Sequence, residues 1–378
     1  MKTLIITNDF PPRDGGIQTF VFEMAQRFNP QDVIVMTSHY DGDTEFDSTL
    51  PYLVIRTKTT VLVPNKRART LAEKIIAEHG VTSVVFGAAA PLALLAPALR
   101  KVGVTRMVAI THGHEAGWAI TPVTRQLIRR IGNSVNHMTY LGDYTRSKIA
   151  PVLSPDAQSR MVQLTPGVDP EIFHPRNREL AESMRNQLGI GQRPVVVCVS
   201  RLMKRKGQDA LIAAFPKILE SVGDAVLVIV GGGAYKDALV KQAKRSSAHS
   251  SIIFAGKVPF NELPAWYAVG DVFAMPCRTR NAGWDVEGLG IVFLEASATG
   301  LPVVAGDSGG APDAVLDGQT GMVVSGRNSE EVSQTIVRLL QDPNLRTTMG
   351  AAGREWVMKQ WTWSHSYDIL SSLLTQDA

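Results

Sequence analysis

Cysteine is almost missing from this chain. Cys198 and Cys277 are the only two in 378 residues, and each lies in an apolar stretch. Two such residues make no disulfide framework, and a reducing compartment, the cytoplasm, is the expectation. Long apolar runs are missing too. No eighteen-residue apolar stretch occurs, which excludes a membrane-crossing helix. The opening MKTLIITNDFPP reads as a strand and a turn, without the apolar core and cleavage site of a signal peptide. There is no low-complexity tract and no repeated sequence unit. Charge of one sign is scarce as well: 39 basic against 35 acidic residues leave a net charge of +4. So small an excess is ordinary surface charge or serves an anionic ligand or membrane surface. It gives no reason to expect a nucleic-acid partner. The first strand–helix turn lacks the G-x-G-x-x-G of a dinucleotide enzyme, which counts against an NAD-dependent oxidoreductase.

What is present is a repeated alternation. KTLIITNDF, DVIVMTS, SVVFGA and RMVAITHG are continuous apolar runs. IQTFVFEMAQRF and LAEKIIAEHG have helical spacing, the second with Gly80 placed as a C-cap. The alternation restarts at RPVVVCVSR (193–201) and continues through AVLVIVGGG, SIIFAGKV, DVFAMPC and PVVAG. Strands apolar on both faces and separated by helices predict parallel sheets covered on both sides. The length suits two domains. LTPGVDPEIFHPRN, rich in proline and charge, reads as the linker. The expected division is 1–168, 169–355 and a final helix, 356–378, that crosses back to the first domain. Two such α/β domains facing across a deep cleft carry their ligands at the carboxyl ends of the strands.

The informative residues do follow strands. Gly15 and Gly16 open a helix, where backbone N–H groups favour an anion. THGHE (111–115) follows another strand. Zinc binding by His112 and His114 has poor spacing and no cysteine pair nearby; a ligand-facing role suits His112, and ordinary loop hydrogen bonding suits His114. In SRLMKRKGQD, Arg201 ends a strand and Lys206 precedes Gly207 at a helix start, where the dipole disfavours cations. A diphosphate site explains that placement. Gly232, in GGG (231–233), lets a ligand approach the next strand end. In DVEGLGIVFLEA, residues 288–291 form a turn opening a helix whose N–H groups can meet phosphate. Glu287 precedes this turn and Glu295 follows it, carboxylates suited to sugar hydroxyls and to developing positive charge.

Taken together, GGIQ (15–18), THGHE, PGVDPEIFHP (166–175), SRLMKRKGQD, VGGG, FAGKVP (254–259) and EGLGIVFLEASATGLPVV resemble the retaining GT-B glycosyltransferases. That broad family includes sucrose-phosphate synthases, bacterial glycogen synthases and phosphatidylinositol mannosyltransferases. TNDFPPRDGGIQ and DVEGLGIVFLEA are especially similar to its actinobacterial phosphatidylinositol mannoside branch. The resemblance covers nearly the whole chain. It implies a GT-B fold and transfer of mannose from GDP-mannose to a phosphatidylinositol mannoside. It further implies that Arg201 and Lys206 hold the donor diphosphate, Glu287 contacts the transferred sugar and Glu295 binds the ribose. Gly288, Leu289, Gly290, Ile291 and Val292 give backbone donors, Lys257 and Val258 flank the nucleobase, and His112 touches the sugar. Gly16 approaches the donor phosphate and Gln18 meets the acceptor.

No metal or other cofactor is expected, since two cations neutralise the diphosphate and no Asp-x-Asp pair suggests a metal-bridged donor. No carboxylate nucleophile is evident, so a front-face displacement with the donor phosphate as base fits. The competing readings are a UDP-sugar transferase with a soluble acceptor, a nucleotide-sugar epimerase of the same build, and a catalytically dead binding protein. Two basic-apolar segments, TPVTRQLIRRIGNSVNH (121–137) and PNKRARTLAEKII, suit either packing on their own sheet or peripheral binding to an anionic membrane, the inner face of the plasma membrane.

Overall fold

The computed structural model describes residues 1–375. The chain forms two compact units, Met1–Gly167 joined by the closing helix Trp363–Thr375, and Val168–Thr362. In the first unit, seven parallel strands lie in the order β3-β2-β1-β4-β5-β6-β7. They are β1 (Thr3–Ile6), β2 (Val33–Thr37), β3 (Leu53–Arg56), β4 (Ser83–Phe86), β5 (Arg106–Ala109), β6 (His137–Tyr140) and β7 (Met161–Gln163). The second holds β8 (Val195–Val199), β9 (Val226–Val230), β10 (Ile252–Gly256), β11 (Val272–Met275), β12 (Val303–Gly306) and β13 (Gly321–Val324). Their order is β10-β9-β8-β11-β12-β13, again all parallel.

Parallel neighbours require crossover connections, and helices supply them. Each sheet is therefore covered on both faces, and β1, β2, β4, β8, β9, β11 and β12 are buried at every position. That double burial is why they appear in the sequence as unbroken apolar runs. Strand order reverses between β1 and β4 in one unit and between β8 and β11 in the other, the switch points where ligands of such sheets bind.

The expected strands and helices are present, including Gly80 as a left-handed C-cap at φ 65°. β3, β6, β7 and β13 escaped the apolar-run criterion. β3 lies at the sheet edge with Leu53 exposed, and β7, three residues long, lies at the other edge. Residues 165–175 do not behave as a loose linker. The Val168 N–H donates to the Trp361 carbonyl at 2.7 Å, and Phe173 is buried edge-on to Tyr267, ring centres 5.6 Å apart. Arg354 donates to the carbonyls of Phe173 and Ala298. The break expected at 355–356 falls inside a helix, Pro343–Gln360, begun by the Asp342 cap. A separate helix, Trp363–Thr375, carries the return, with Trp363 against Phe20 and Tyr367 against Phe28. Residues 376–378 of that expected segment lie outside the described residues.

Candidate functional site

The loops at the carboxyl end of the second sheet are held against one another by close backbone approaches. Gly231, at φ 138°, lies so near the Ser200 carbonyl that a Cβ there meets it at 2.0 Å. The Leu202 N–H donates to the Gly232 carbonyl, and the Gly231 N–H to that of Gly256. The ends of β8, β9 and β10 are thereby tied together, and Gly232 lies beside the Lys257 stem. Gly207, at φ 80°, passes over the Pro276 carbonyl where any Cβ clashes at 2.0 Å. This fixes Lys206 beside the end of β11.

Lys206 and Glu287, 81 positions apart, meet there. Lys206 Nζ stands 2.6 Å from Glu287 Oε2, with both side chains under a tenth exposed. Arg205 Nε is 3.7 Å from the same oxygen, and its guanidinium also reaches Asp285 at 3.4 Å. Glu287 Oε2 is thus held directly by the Lys206 ammonium, whereas Arg205 Nε is buried without a hydrogen-bond partner. The backbone of Glu287 is pinned by Ser308 Oγ, which accepts its N–H at 3.1 Å, and by the Gly310 N–H on its carbonyl. Arg201 is exposed and has no side-chain partner among the described residues, unlike Lys206. Lys257 is exposed and Val258 half-buried at the end of β10.

Gly290 closes the turn in the left-handed region at φ 85° and starts the helix Ile291–Ala298. Within the described residues the N–H groups of Gly288, Leu289, Gly290, Ile291 and Val292 donate to nothing. Five adjacent free donors at a helix N-terminus favour an anion. Glu295 lies one turn along that helix, and its Oε2 accepts the Tyr267 hydroxyl at 2.5 Å. Burial pushes the Glu295 carboxyl up to about 7, with the Tyr267 hydrogen bond opposing the rise.

At the first sheet's carboxyl end, His112 Nε2 donates to the Gly87 carbonyl at 2.6 Å, an assignment that follows from the carbonyl being an acceptor only. Burial lowers the His112 pKa, so the ring is neutral and Nδ1 keeps a free lone pair. The ring packs edge-on to Phe20, and the His112 N–H donates to buried Glu115. His114 is exposed. Gly16 opens the helix Gly16–Ala25 with its N–H free. Gln18 is buried at the same turn. Its amide nitrogen donates to Asp9 Oδ1 at 2.8 Å, and its carbonyl oxygen fills the space beside Gly15. It braces the turn.

Sequence reasoning missed Arg205, Ser308, Glu115 and Tyr267. The first three lie in strand-end segments and share the signal that found their neighbours. Tyr267, inside PAWYAVG, has no local signal. An Asp-x-Asp does occur at Asp41–Asp43, but Asp43 is committed to His39 and the Tyr40 N–H. Among the described residues no three His, Cys, Asp or Glu side chains cluster as metal ligands.

The model of glycosyl transferases group 1 matches residues 181–356, and that of glycosyltransferase family 4 matches residues 14–172. A GDP-mannose-dependent alpha-(1-6)-phosphatidylinositol monomannoside mannosyltransferase of Mycobacterium tuberculosis is 47% identical over 382 residues, covering 100% of this chain and 98% of the relative. A GDP-mannose-dependent monoacylated alpha-(1-6)-phosphatidylinositol monomannoside mannosyltransferase of Corynebacterium glutamicum is 40% identical, with 100% and 98% covered. Among solved structures, Anabaena Alr3699/HepE in complex with UDP superposes with a TM-score of 0.81 at 18% identity, covering 99% of this chain and 100% of that one. That likeness concerns the fold.

Proposed function

This chain belongs to the group 1 glycosyltransferases, and we propose that it moves mannose from GDP-mannose to a phosphatidylinositol monomannoside, forming an α-(1-6) linkage. One observation carries the reading: identity of 47% over the full length with a relative of that name. The geometry of the second unit suits the donor half of the reaction. Arg201, Lys206 and the free N–H groups of 288–292 meet the diphosphate. As the anomeric C–O bond breaks, charge grows on the departing phosphate, and fixed donors stabilise that state most. Lys206 exchanges Glu287 Oε2 for a phosphate oxygen, which frees Glu287 to face the transferred mannose. Glu295 accepts the ribose hydroxyls, and Lys257 and Val258 border the base. The acceptor hydroxyl attacks on the face from which GDP leaves and gives its proton to the donor phosphate, so the α configuration is retained. In the first unit, the free lone pair of His112 Nδ1 suits a sugar hydroxyl. Cation charge at Arg201 and Lys206 supplies the leaving-group stabilisation without a metal.

The lipid acceptor calls for a membrane surface. No helix of the described residues is long and apolar enough to cross one. Ile128 and Ile131 of the helix Pro122–Ser134 are buried in the unit's own core, whereas Arg125, Arg129 and Arg130 face solvent. Lys66, Arg67 and Arg69 are exposed beside the protruding Val61 and Val63. Such basic faces suit peripheral attachment to the anionic inner leaflet. The test is incubation with GDP-, UDP- and ADP-sugars and phosphatidylinositol mannosides, followed by product analysis. Mannosylated lipid formed from GDP-mannose is expected; transfer from another donor in its place, or sugar conversion without an acceptor, overturns the reading.

A further inference from the structure

Tyr267 touches the donor site only through Glu295, yet it is the largest fully buried side chain of the second unit that carries a polar group. It lies on the short helix Leu263–Ala268, packed edge-on to Phe173 and tilted against Phe273. Its hydroxyl donates to Glu295 Oε2 at 2.5 Å. Glu295 Oε1 accepts no hydrogen bond within the described residues. One carboxylate oxygen is thus locked by a rigid phenol and the other is left for a ligand. We infer that Tyr267 is the positioning residue of Glu295, locking one carboxylate oxygen so that the other is turned to accept the ribose hydroxyls of the nucleotide. The inference rests on the donor-site role of Glu295 proposed above.

The surroundings explain why such help is needed. A carboxylate in a desolvated site favours its neutral form. A neutral carboxyl has lost part of its acceptor capacity and binds a diol less well. Burial drives Glu295 up to about 7, and the Tyr267 hydroxyl is what opposes it. Other charged neighbours are few. Cys198, on β8, is pushed up to about 12 by burial and stays a neutral thiol. Glu287 lies on the preceding turn, engaged with Lys206. The helix Pro343–Gln360 and the turn Ala311–Ala314 pack against the Glu295 helix. From the first, Arg354 donates to backbone carbonyls and Arg346 to those of Leu339 and Leu340, whereas Glu355 and Lys359 are exposed. From the second comes Asp313 alone. β12 contributes Val303–Gly306, without a titratable group.

The test is calorimetric titration of GDP into the full chain at pH 6, 7 and 8.5, for the wild type, Tyr267→Phe, Glu295→Gln and the double variant. Tyr267→Phe keeps the ring packing and removes only the hydroxyl. It is expected to bind GDP about tenfold more weakly at pH 7, the size of a hydrogen bond to a charged group. The deficit should shrink as the pH rises to 8.5, because the carboxyl then ionises unaided. In the Glu295→Gln background, Tyr267→Phe should change GDP affinity by less than about twofold, and that background also carries the titration of the GDP phosphate itself. A loss that is equal at all three pH values, or that persists beside Gln at 295, makes Tyr267 a packing residue and overturns the inference. If Glu295→Gln leaves GDP affinity intact, the donor-site role of Glu295 fails instead, a separate outcome.

Discussion

Replacing Lys206 by methionine keeps the stem that fills the site and removes the charge. The structure sets the size of the effect. Nζ and Glu287 Oε2 are 2.6 Å apart, and both side chains are under a tenth exposed, so water screens the pair little. Breaking a buried pair from one side costs about 3–5 kcal/mol, because a charge is left behind uncompensated. Here Arg205 remains 3.7 Å from the same oxygen and offsets part of the loss. The expected destabilisation is therefore near the lower bound, about 3 kcal/mol. Lys206→Met with Glu287→Gln leaves no orphaned charge, and a coupling of about 2 kcal/mol should return in the double variant. Urea unfolding of the nucleotide-free protein, followed by the fluorescence of its tryptophans, measures this. Activity is expected to fall in Lys206→Met, in Glu287→Gln alone and in the double variant, and so does not make the distinction. A Lys206→Met loss below about 0.5 kcal/mol, or strict additivity, would mean that the two charges do not sense each other, and the partner-exchange step proposed for Lys206 would lose its basis.

Arg201→Ala behaves differently, since its side chain is exposed and unpaired. The thermal midpoint should stay within about 2 °C of the wild type while kcat falls by about 3 kcal/mol in barrier terms, read by steady-state kinetics. Gly290→Ala places a Cβ at φ 85° and 2.6 Å from the Phe293 ring. A loss of about 3 kcal/mol in denaturant unfolding is expected, together with weaker GDP binding because the free N–H groups shift. Glu295 makes nucleotide-free stability depend on pH. Its folded value of about 7 lies above the 4.5 usual for a glutamate, so the group favours folding below pH 4.5 and this contribution is lost as pH rises through 7. Relative to Glu295→Gln, the wild type should lose about 3 kcal/mol between pH 4.5 and 8, measured by urea titrations across that range.

Much of the fold is legible locally, for a physical reason. β8 and β9 are buried on both faces, so five consecutive apolar residues announce each one. The edge strand β3, LVIR, has no fully buried position, so its short apolar run does not stand out, and pairing with β2 makes it a strand. The site divides the same way. Gly207 and Gly290 could be picked out because a loop that turns a strand end into a helix needs left-handed backbone, and both adopt it. The pairing of Lys206 with Glu287 could not, because sequence order says nothing about which carboxylate, 287 or 295, turns toward the cation. Placement of the Gly207 loop against Pro276 decides it. Tyr267 was hidden for a further reason: as an aromatic residue in an apolar helix it is indistinguishable from core until Glu295 is seen under its hydroxyl.

Unsatisfied polar groups then become informative. Buried polar atoms are costly to leave unpaired, and folded proteins pair nearly all of them. Arg205 Nε, Gln208 Oε1 and Asp209 Oδ1 are left without hydrogen bonds in one stretch of chain, 205–209. The free N–H groups of 288–292 adjoin Glu287 in the chain. Packing alone does not account for so many unmet donors and acceptors in one region, whereas a ligand offering phosphate oxygens and hydroxyls meets both kinds. In the ligand-free protein Lys206 and Glu287 hold each other's charge. On the proposed reading a diphosphate takes over that contact, and the groups that would stabilise its departure are then already in place, so that little reorganisation remains when the bond breaks.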